Sequence, residues 1–243
     1  MTNSKIFSHI RLRSLVKPVY VHIYNNIDLV LMKRASSVEK LKGQVKKKIG
    51  KNDPAHDFEH IIRVYNNARR LARMERVSSR LVLAAALLHD IVSYPKSDPR
   101  SKNSSVESAT KAKQILAKYS YTVKEIKIIA DAIRDHSFSK GTVPETIIGK
   151  ILQDADRLDA IGAIGIARTF SVGGAEKRPF YNNEDPFCKT RNPDDTRWTL
   201  DHFYKKLLLL EKKMNTDSAK REARKRVKIM KQFLDVLREE IYP

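Results

Sequence analysis

The stretch Leu81-Val82-Leu83-Ala84-Ala85-Ala86-Leu87-Leu88 decides the fold, and the pair His89-Asp90 that closes it points toward the chemistry. A helix built from this run is apolar all round, so it belongs at the centre of a helical assembly rather than on its surface. Ser78 or Ser79 is placed to cap it. Ionisable side chains at the end of such a helix are costly to bury unless they are paired or bound to a metal. The run of eight apolar residues falls far short of the ~20 needed to cross a bilayer, which predicts a soluble protein.

Working outward, the sequence from residue 36 onward reads as helix after helix. Apolar residues recur three and four apart, alternating β-branched runs are few, and there are only 8 Gly and 9 Pro. The predicted fold class is all-α. Asp53 before Pro54 predicts a helix start, because the Asp side chain accepts free amide hydrogens and Pro at the first helical position sacrifices nothing. The helix is expected from Ala55 to Arg76, with Ile61, Val64, Ala68, Leu71 and Ala72 inward and His60 on or beside that face. Further helices are predicted over 104–118, 123–136 (opened by a Thr122–Glu125 capping box), 145–158, 161–171, 197–213 and 217–240. Residues 173–196, rich in Gly, Pro, Asn and Asp, are expected to form a long loop, and loops of that length are often functional.

A second ionisable cluster lies in Ile151-Leu152-Gln153-Asp154-Ala155-Asp156-Arg157-Leu158-Asp159-Ala160-Ile161-Gly162. Three carboxylates sit within six residues of helix-forming sequence with only Arg157 nearby, so a cation from elsewhere is implied. One imidazole from the 55–76 helix, the His89-Asp90 pair and an Asp from this cluster form a mixed nitrogen and oxygen ligand set. Such a set suits a divalent ion such as Mn, Mg, Co, Ni, Fe or Zn. A metal there lowers the pKa of water and polarises a phosphoryl oxygen, so hydrolysis of a phosphate ester or anhydride by metal-activated water follows. The residues alone leave two choices open: His56 or His60, and Asp154 or Asp156. His56 and His60 are one helical turn apart, as in helical zinc proteases, but Asp57 stands where such a protease needs Glu.

Composition bounds the rest. The chain has 243 residues and a formal charge of +20. Residues 1–51 hold 12 basic and 2 acidic residues and residues 205–231 hold 11 and 3, so these stretches carry nearly all the excess. Weak, salt-sensitive attraction to nucleic acid follows from that charge density. The single Cys188 excludes an internal disulfide and is compatible with a cytoplasmic location. Residues 1–35 are read as a basic N-terminal arm or extension, with Met32 as an alternative start, and residues 36–243 as the main domain.

With these residues in view, His60, Leu87-Leu88-His89-Asp90 and Asp154-Ala155-Asp156-Arg157-Leu158 resemble the H…HD…D signature of the HD-domain metal-dependent phosphohydrolase superfamily. Ala55–Val64, His89–Ser93, His136–Ser139, Gly162–Arg168, Asp185-Pro186-Phe187, Asp194-Asp195, Asp201-His202-Phe203, Lys206-Leu207 and Met214-Asn215-Thr216 are similar to its YedJ/YpgQ-type subgroup. The likeness runs in order over roughly residues 45–240. It implies a helical domain holding one metal, or at most two, on His60, His89, Asp90 and Asp156, with nucleotides or related phosphates as substrates. Asp156 is preferred because the family's last ligand precedes the Arg-Leu of this motif, which leaves Asp154 to orient a ligand or a water.

Other residues carry a functional and a structural reading side by side. His56 and Asp57 either line the site, relaying a proton or touching phosphate, or cap their helix. Arg63 shares the face of His60. Arg157 either binds phosphate or neutralises its neighbouring carboxylates. Lys96 and Arg100 reach substrate phosphates from their loop or are solvated. His136, His202 and Lys206 are further candidates for the substrate site, and Phe180 and Tyr181 either stack on a base or pack their loop down. The expected activity is hydrolysis of a small phosphorylated metabolite, a nucleotide above all. The alternatives are a phosphodiesterase acting on cyclic nucleotides or nucleic-acid ends, and a nucleic-acid-associated binding protein with a vestigial metal site.

Overall fold

A computed structural model describes residues 37–49, 57–94, 98–137 and 141–243; the arm at 1–35 and the Asp53-Pro54 helix start lie outside the described residues. Among the described residues every regular element is helical, as the apolar spacing predicts. In chain order these are α1 (37–48), α2 (Phe58–Met74), α3 (Ser79–Leu88), α4 (Ser104–Leu116), α5 (Val123–Asp135), α6 (Ile147–Asp159), α7 (Gly162–Ala175), α8 (Asp201–Lys205) and α9 (Asp217–Ile241). Short 3₁₀ segments cover Pro99–Asn103 and Leu207–Lys213.

Helix α3 is central. Val82 through Leu88 are all buried, and α2, α4, α5 and α6 pack around it. Truncating one of its fully buried leucines, such as Leu87, is expected to cost about 2–5 kcal/mol through lost transfer energy and a residual cavity. Helix α6 joins the two parts of the molecule, packing against α2, α3 and α5 on one side and α7 and α9 on the other.

Local chemistry explains the boundaries. Helix α2 begins at Phe58, not Ala55, because Asp57 is its extended N-cap and accepts the His60 amide at 2.7 Å. Thr122 and Glu125 form the expected capping box on α5. Ser78 stands at the N-cap position of α3 without a capping side-chain bond.

The single helix expected over 197–213 is broken at Lys206 (φ −137°, ψ −57°). Beyond the break, Leu207 and Leu210 are buried at a spacing of three, which a 3₁₀ turn presents on one face. Helix α7 runs to Ala175, so the long irregular segment is 176–200 rather than 173–196. Gly173 lets that segment lie against α7, since a Cβ there would meet Thr199 Oγ1 at 2.3 Å.

Candidate metal centre

Four helices deliver side chains to one point beside α3. His60 comes from the first turn of α2, His89 and Asp90 from the end of α3, His136 from the end of α5, and Asp156 from α6. His60 Nε2 lies 3.3 Å from His89 Nε2, 3.7 Å from Asp90 Oδ2 and 3.6 Å from Asp156 Oδ1. His89 Nε2 is 3.4 Å from Asp90 Oδ2, and His136 Nε2 is 3.6 Å from Asp90 Oδ1.

The ring orientations are built in. His89 Nδ1 meets the Ala86 carbonyl at 2.8 Å and His136 Nδ1 meets the Ile133 carbonyl at 2.6 Å. A carbonyl only accepts, so each Nδ1 carries the proton, and in the neutral rings Nε2 presents its lone pair. His60 Nδ1 is paired in the same sense with Asp159 Oδ2 at 2.8 Å. Asp159 is itself held by Arg63 Nε and Arg168 Nη1, each at 2.7 Å. A ligand imidazole whose other nitrogen is fixed by a carboxylate is a recurrent arrangement behind bound metals.

The donor set fits a divalent cation. Ligands about 2.1 Å from a metal stand roughly 3.0–3.5 Å from one another; two of these five separations fall in that range, and the other three, at 3.6–3.7 Å, lie just above it. His60, His89 and Asp90 offer one donor atom each, all within 4.8 Å of one another.

Electrostatics gives the same reading. Burial works against the charged form of His60, yet Asp159, Asp90 and Asp156 raise its pKa from 6.5 to about 9. Burial lowers His89 to about 4. Burial opposes ionisation of Asp156, but the His60, His89 and His136 rings prevail and hold its pKa below the ordinary carboxylate value. Without a metal, these carboxylates draw a proton onto His60; a bound cation would satisfy the same carboxylates.

Asp156 also forms part of the wall of a cavity of about 400 Å³, with Arg168, Arg178, Asp195, His202 and Lys206 among its other lining residues. His202 Nδ1 is paired with Asp195 Oδ2 at 2.7 Å. Cationic side chains, with Glu176 and Asp195 among them, thus line a cavity that borders the imidazole cluster at Asp156.

Several candidates from the sequence have other partners. Asp57 caps α2. Asp154 is not positioned to orient a metal ligand or a water: it is fully buried, and its oxygens are taken by the backbone and side chains of Asn215 and Thr216. Arg157 donates to the Lys213 carbonyl, and Arg63 is engaged by Asp159. Arg100 pairs with Asp98 and lies over the Tyr94 ring. Phe180 packs edge-on against Phe170, favouring the loop-packing reading. His56 and Lys96 lie outside the described residues.

The sequence reading missed Asp159, Arg168, Arg178 and Asp195 as parts of the site. Compensating cations are supplied to Asp159 by Arg63, 96 positions away, and by Arg168, nine positions on in α7. The available signals were the third carboxylate of the α6 cluster, left without a role, and the family-like segments Gly162–Arg168 and Asp194-Asp195, whose Arg168 and Asp195 were given none.

Comparison with known proteins gives the family. The HD domain family model matches residues 57–161. The uncharacterized protein YpgQ of Bacillus subtilis (strain 168) is 31% identical over 214 residues, spanning 86% of this chain and 96% of that protein. A crystal structure of Bacillus subtilis YpgQ in complex with ADP superposes with a TM-score of 0.69 at 30% identity, covering 86% of this chain and 97% of that one. An HD-superfamily hydrolase from Bacillus thuringiensis gives a TM-score of 0.66 at 35% identity, covering 85% and 97%. Ligand-ready imidazoles, carboxylates and overall likeness converge: the chain belongs to the HD-domain superfamily of metal-dependent phosphohydrolases.

Proposed function

We propose that the protein hydrolyses a nucleoside phosphate, with His60, His89, Asp90 and Asp156 holding a divalent metal and residues 36–243 forming the hydrolase domain. The observation that carries this reading is the meeting of two environments at Asp156. On one side are imidazole Nε2 atoms and carboxylates within ligand distance of one another, and on the other is a 400 Å³ cavity lined by Arg168, Arg178, Lys206 and His202. A cavity of that size accommodates a small organic phosphate. The ADP bound to Bacillus subtilis YpgQ supports a nucleotide as the substrate.

The metal, when bound, lowers the pKa of water and polarises a phosphoryl oxygen. The chain's own groups do the remaining work. Asp159 holds the His60 ring in its ligand orientation through Nδ1. His136, also beside Asp90, fixes that carboxylate or adds a further donor. The cations of the cavity attract the substrate's phosphates and favour negative charge gathering on them in the transition state. Among the described residues no helix is long and apolar enough to cross a membrane.

The test is elemental analysis of the purified protein followed by a nucleotide panel with several divalent metals. Asp90→Ala is expected to abolish metal uptake and turnover together. Full activity in that variant would sink the proposal.

A further inference from the structure

We infer that His202, oriented by Asp195, donates the proton that the leaving oxygen needs when the P–O bond breaks; this rests on the hydrolase reading above. His202 lies outside residues 57–161, so its role comes from the tertiary structure rather than from the HD signature. Its ring lines the same cavity as Asp156. Its side chain is only 16% exposed and that of Asp195 28%, so their 2.7 Å contact is partly sheltered from water. A carboxylate at Nδ1 selects the orientation of the ring and stabilises its cation, which leaves the Nε2 proton as the one to transfer.

The surrounding loop is built to hold this pair. Asp201, fully buried next to His202, receives Arg191 in a two-pronged ion pair at 2.5 and 2.7 Å and also accepts the Asp194 amide at 2.6 Å. Arg178 donates to the Asp195 carbonyl. The Thr199 and Leu200 amides donate to the Pro179 and Phe180 carbonyls, drawing the two ends of the loop together. Trp198 lies between Arg191 and Arg197, each guanidinium 4.5 Å from a ring centroid. A buried ion pair contributes little net stability, so its effect here is to fix position, and the positions fixed are those of Asp195 and His202.

The step balances. Water adds its oxygen to phosphorus as the P–O bond to the leaving group breaks, and that bond's electron pair stays on the leaving oxygen. The Nε2 proton of the His202 imidazolium passes to this oxygen. One proton of the attacking water enters solvent and one from solvent restores the imidazolium. Asp156, Glu176, Arg168, Arg178 and Lys206 line the same cavity as the His202–Asp195 pair.

The experiment compares wild type, His202→Gln and Asp195→Asn, all metal-loaded. The substrates are the nucleotide that wild type turns over and aryl esters of a nucleoside monophosphate, from phenyl to 2,4-dinitrophenyl. Proton donation contributes about 10²–10⁴-fold, so kcat of His202→Gln is expected to fall by at least about 10² on the phenyl ester. On the dinitrophenyl ester, whose leaving group needs no proton, the loss should stay within about tenfold, with metal content unchanged. Asp195→Asn should follow the same pattern with smaller losses, which guards against a folding defect peculiar to one variant. Equal losses across the esters, or none, overturn the assignment while sparing the hydrolase reading. A metal-loaded wild type that turns over no phosphate compound overturns that reading, and this assignment with it.

Discussion

Helix α6 carries two buried carboxylates with opposite duties, and the contrast between its two regions separates what holds the fold from what holds the site. Asp154 accepts four hydrogen bonds of 2.8 Å from the backbone and side chains of Asn215 and Thr216, at the start of α9. Asp159 meets His60, Arg63 and Arg168 instead. Neutral donors at a helix N-terminus make a dock for α9, whereas an imidazole and two guanidiniums make a charged brace behind the proposed metal site. Burial raises the Asp154 pKa despite its donors. At Asp159 burial is overcome by His60 and Arg63, and the pKa lies far below the ordinary value.

The sharpest way to break this contrast is to remove each carboxylate. Asp159→Ala strands three positively charged or chargeable groups, so it is expected to cost about 3–5 kcal/mol of stability. It should also weaken metal binding by about 10–100-fold, read by calorimetric titration. Asp154→Ala leaves buried donors without their acceptor and should cost about 1–3 kcal/mol by denaturant unfolding. Metal affinity per folded molecule should be unchanged in that variant. A loss of metal affinity matching that of Asp159→Ala would erase the distinction between dock and brace.

A metal-free preparation sharpens it further. The His60 pKa is raised from 6.5 to about 9, so its contribution to stability is complete below pH 6.5 and lost as pH rises through 9. The metal-free protein should therefore show this loss between pH 6.5 and 9. The metal-loaded protein should lack it, because metal has displaced the proton; melting temperatures with and without metal decide the matter. Over the same interval metal affinity should climb by up to about tenfold per pH unit, since binding releases that proton.

The smallest effect separates the two carboxylates by sign. The depressed Asp159 pKa gives stability that is present above the ordinary carboxylate value of 3.8 and lost as pH falls. The raised Asp154 pKa works the other way, adding stability at low pH that is lost as pH rises. Acid unfolding between pH 5 and 3 should be shallower than wild type in Asp159→Asn and steeper in Asp154→Asn. Equal slopes would mean that the two environments do not differ in how they treat charge.

Much of this was legible before the structure. The apolar run of α3 and the capping box at Thr122 are local signals, and each is answered by the helix it predicts. At about 100° per residue, Asp154 and Asp156 are about 200° apart around their helix, while Asp156 and Asp159 are within about 60°. Periodicity alone therefore places Asp154 on one side and the other two together. It does not say which side meets imidazoles and which meets α9, because that depends on the neighbours. The 197–213 segment misled for a related reason, since its leucine spacing fits either helix type and the break at Lys206 follows from packing.

The sequence by itself determined an all-helical chain with a buried central helix ending in His89-Asp90, because periodicity, capping and the cost of burying charge act over a few residues. Only the tertiary structure decided that Asp159 braces His60 from 99 positions away, that Asp154 docks α9, and that Asp195 and His202 face the same cavity as Asp156. Those pairings arise from helices and a loop meeting in space, where distance along the chain carries no information about direction.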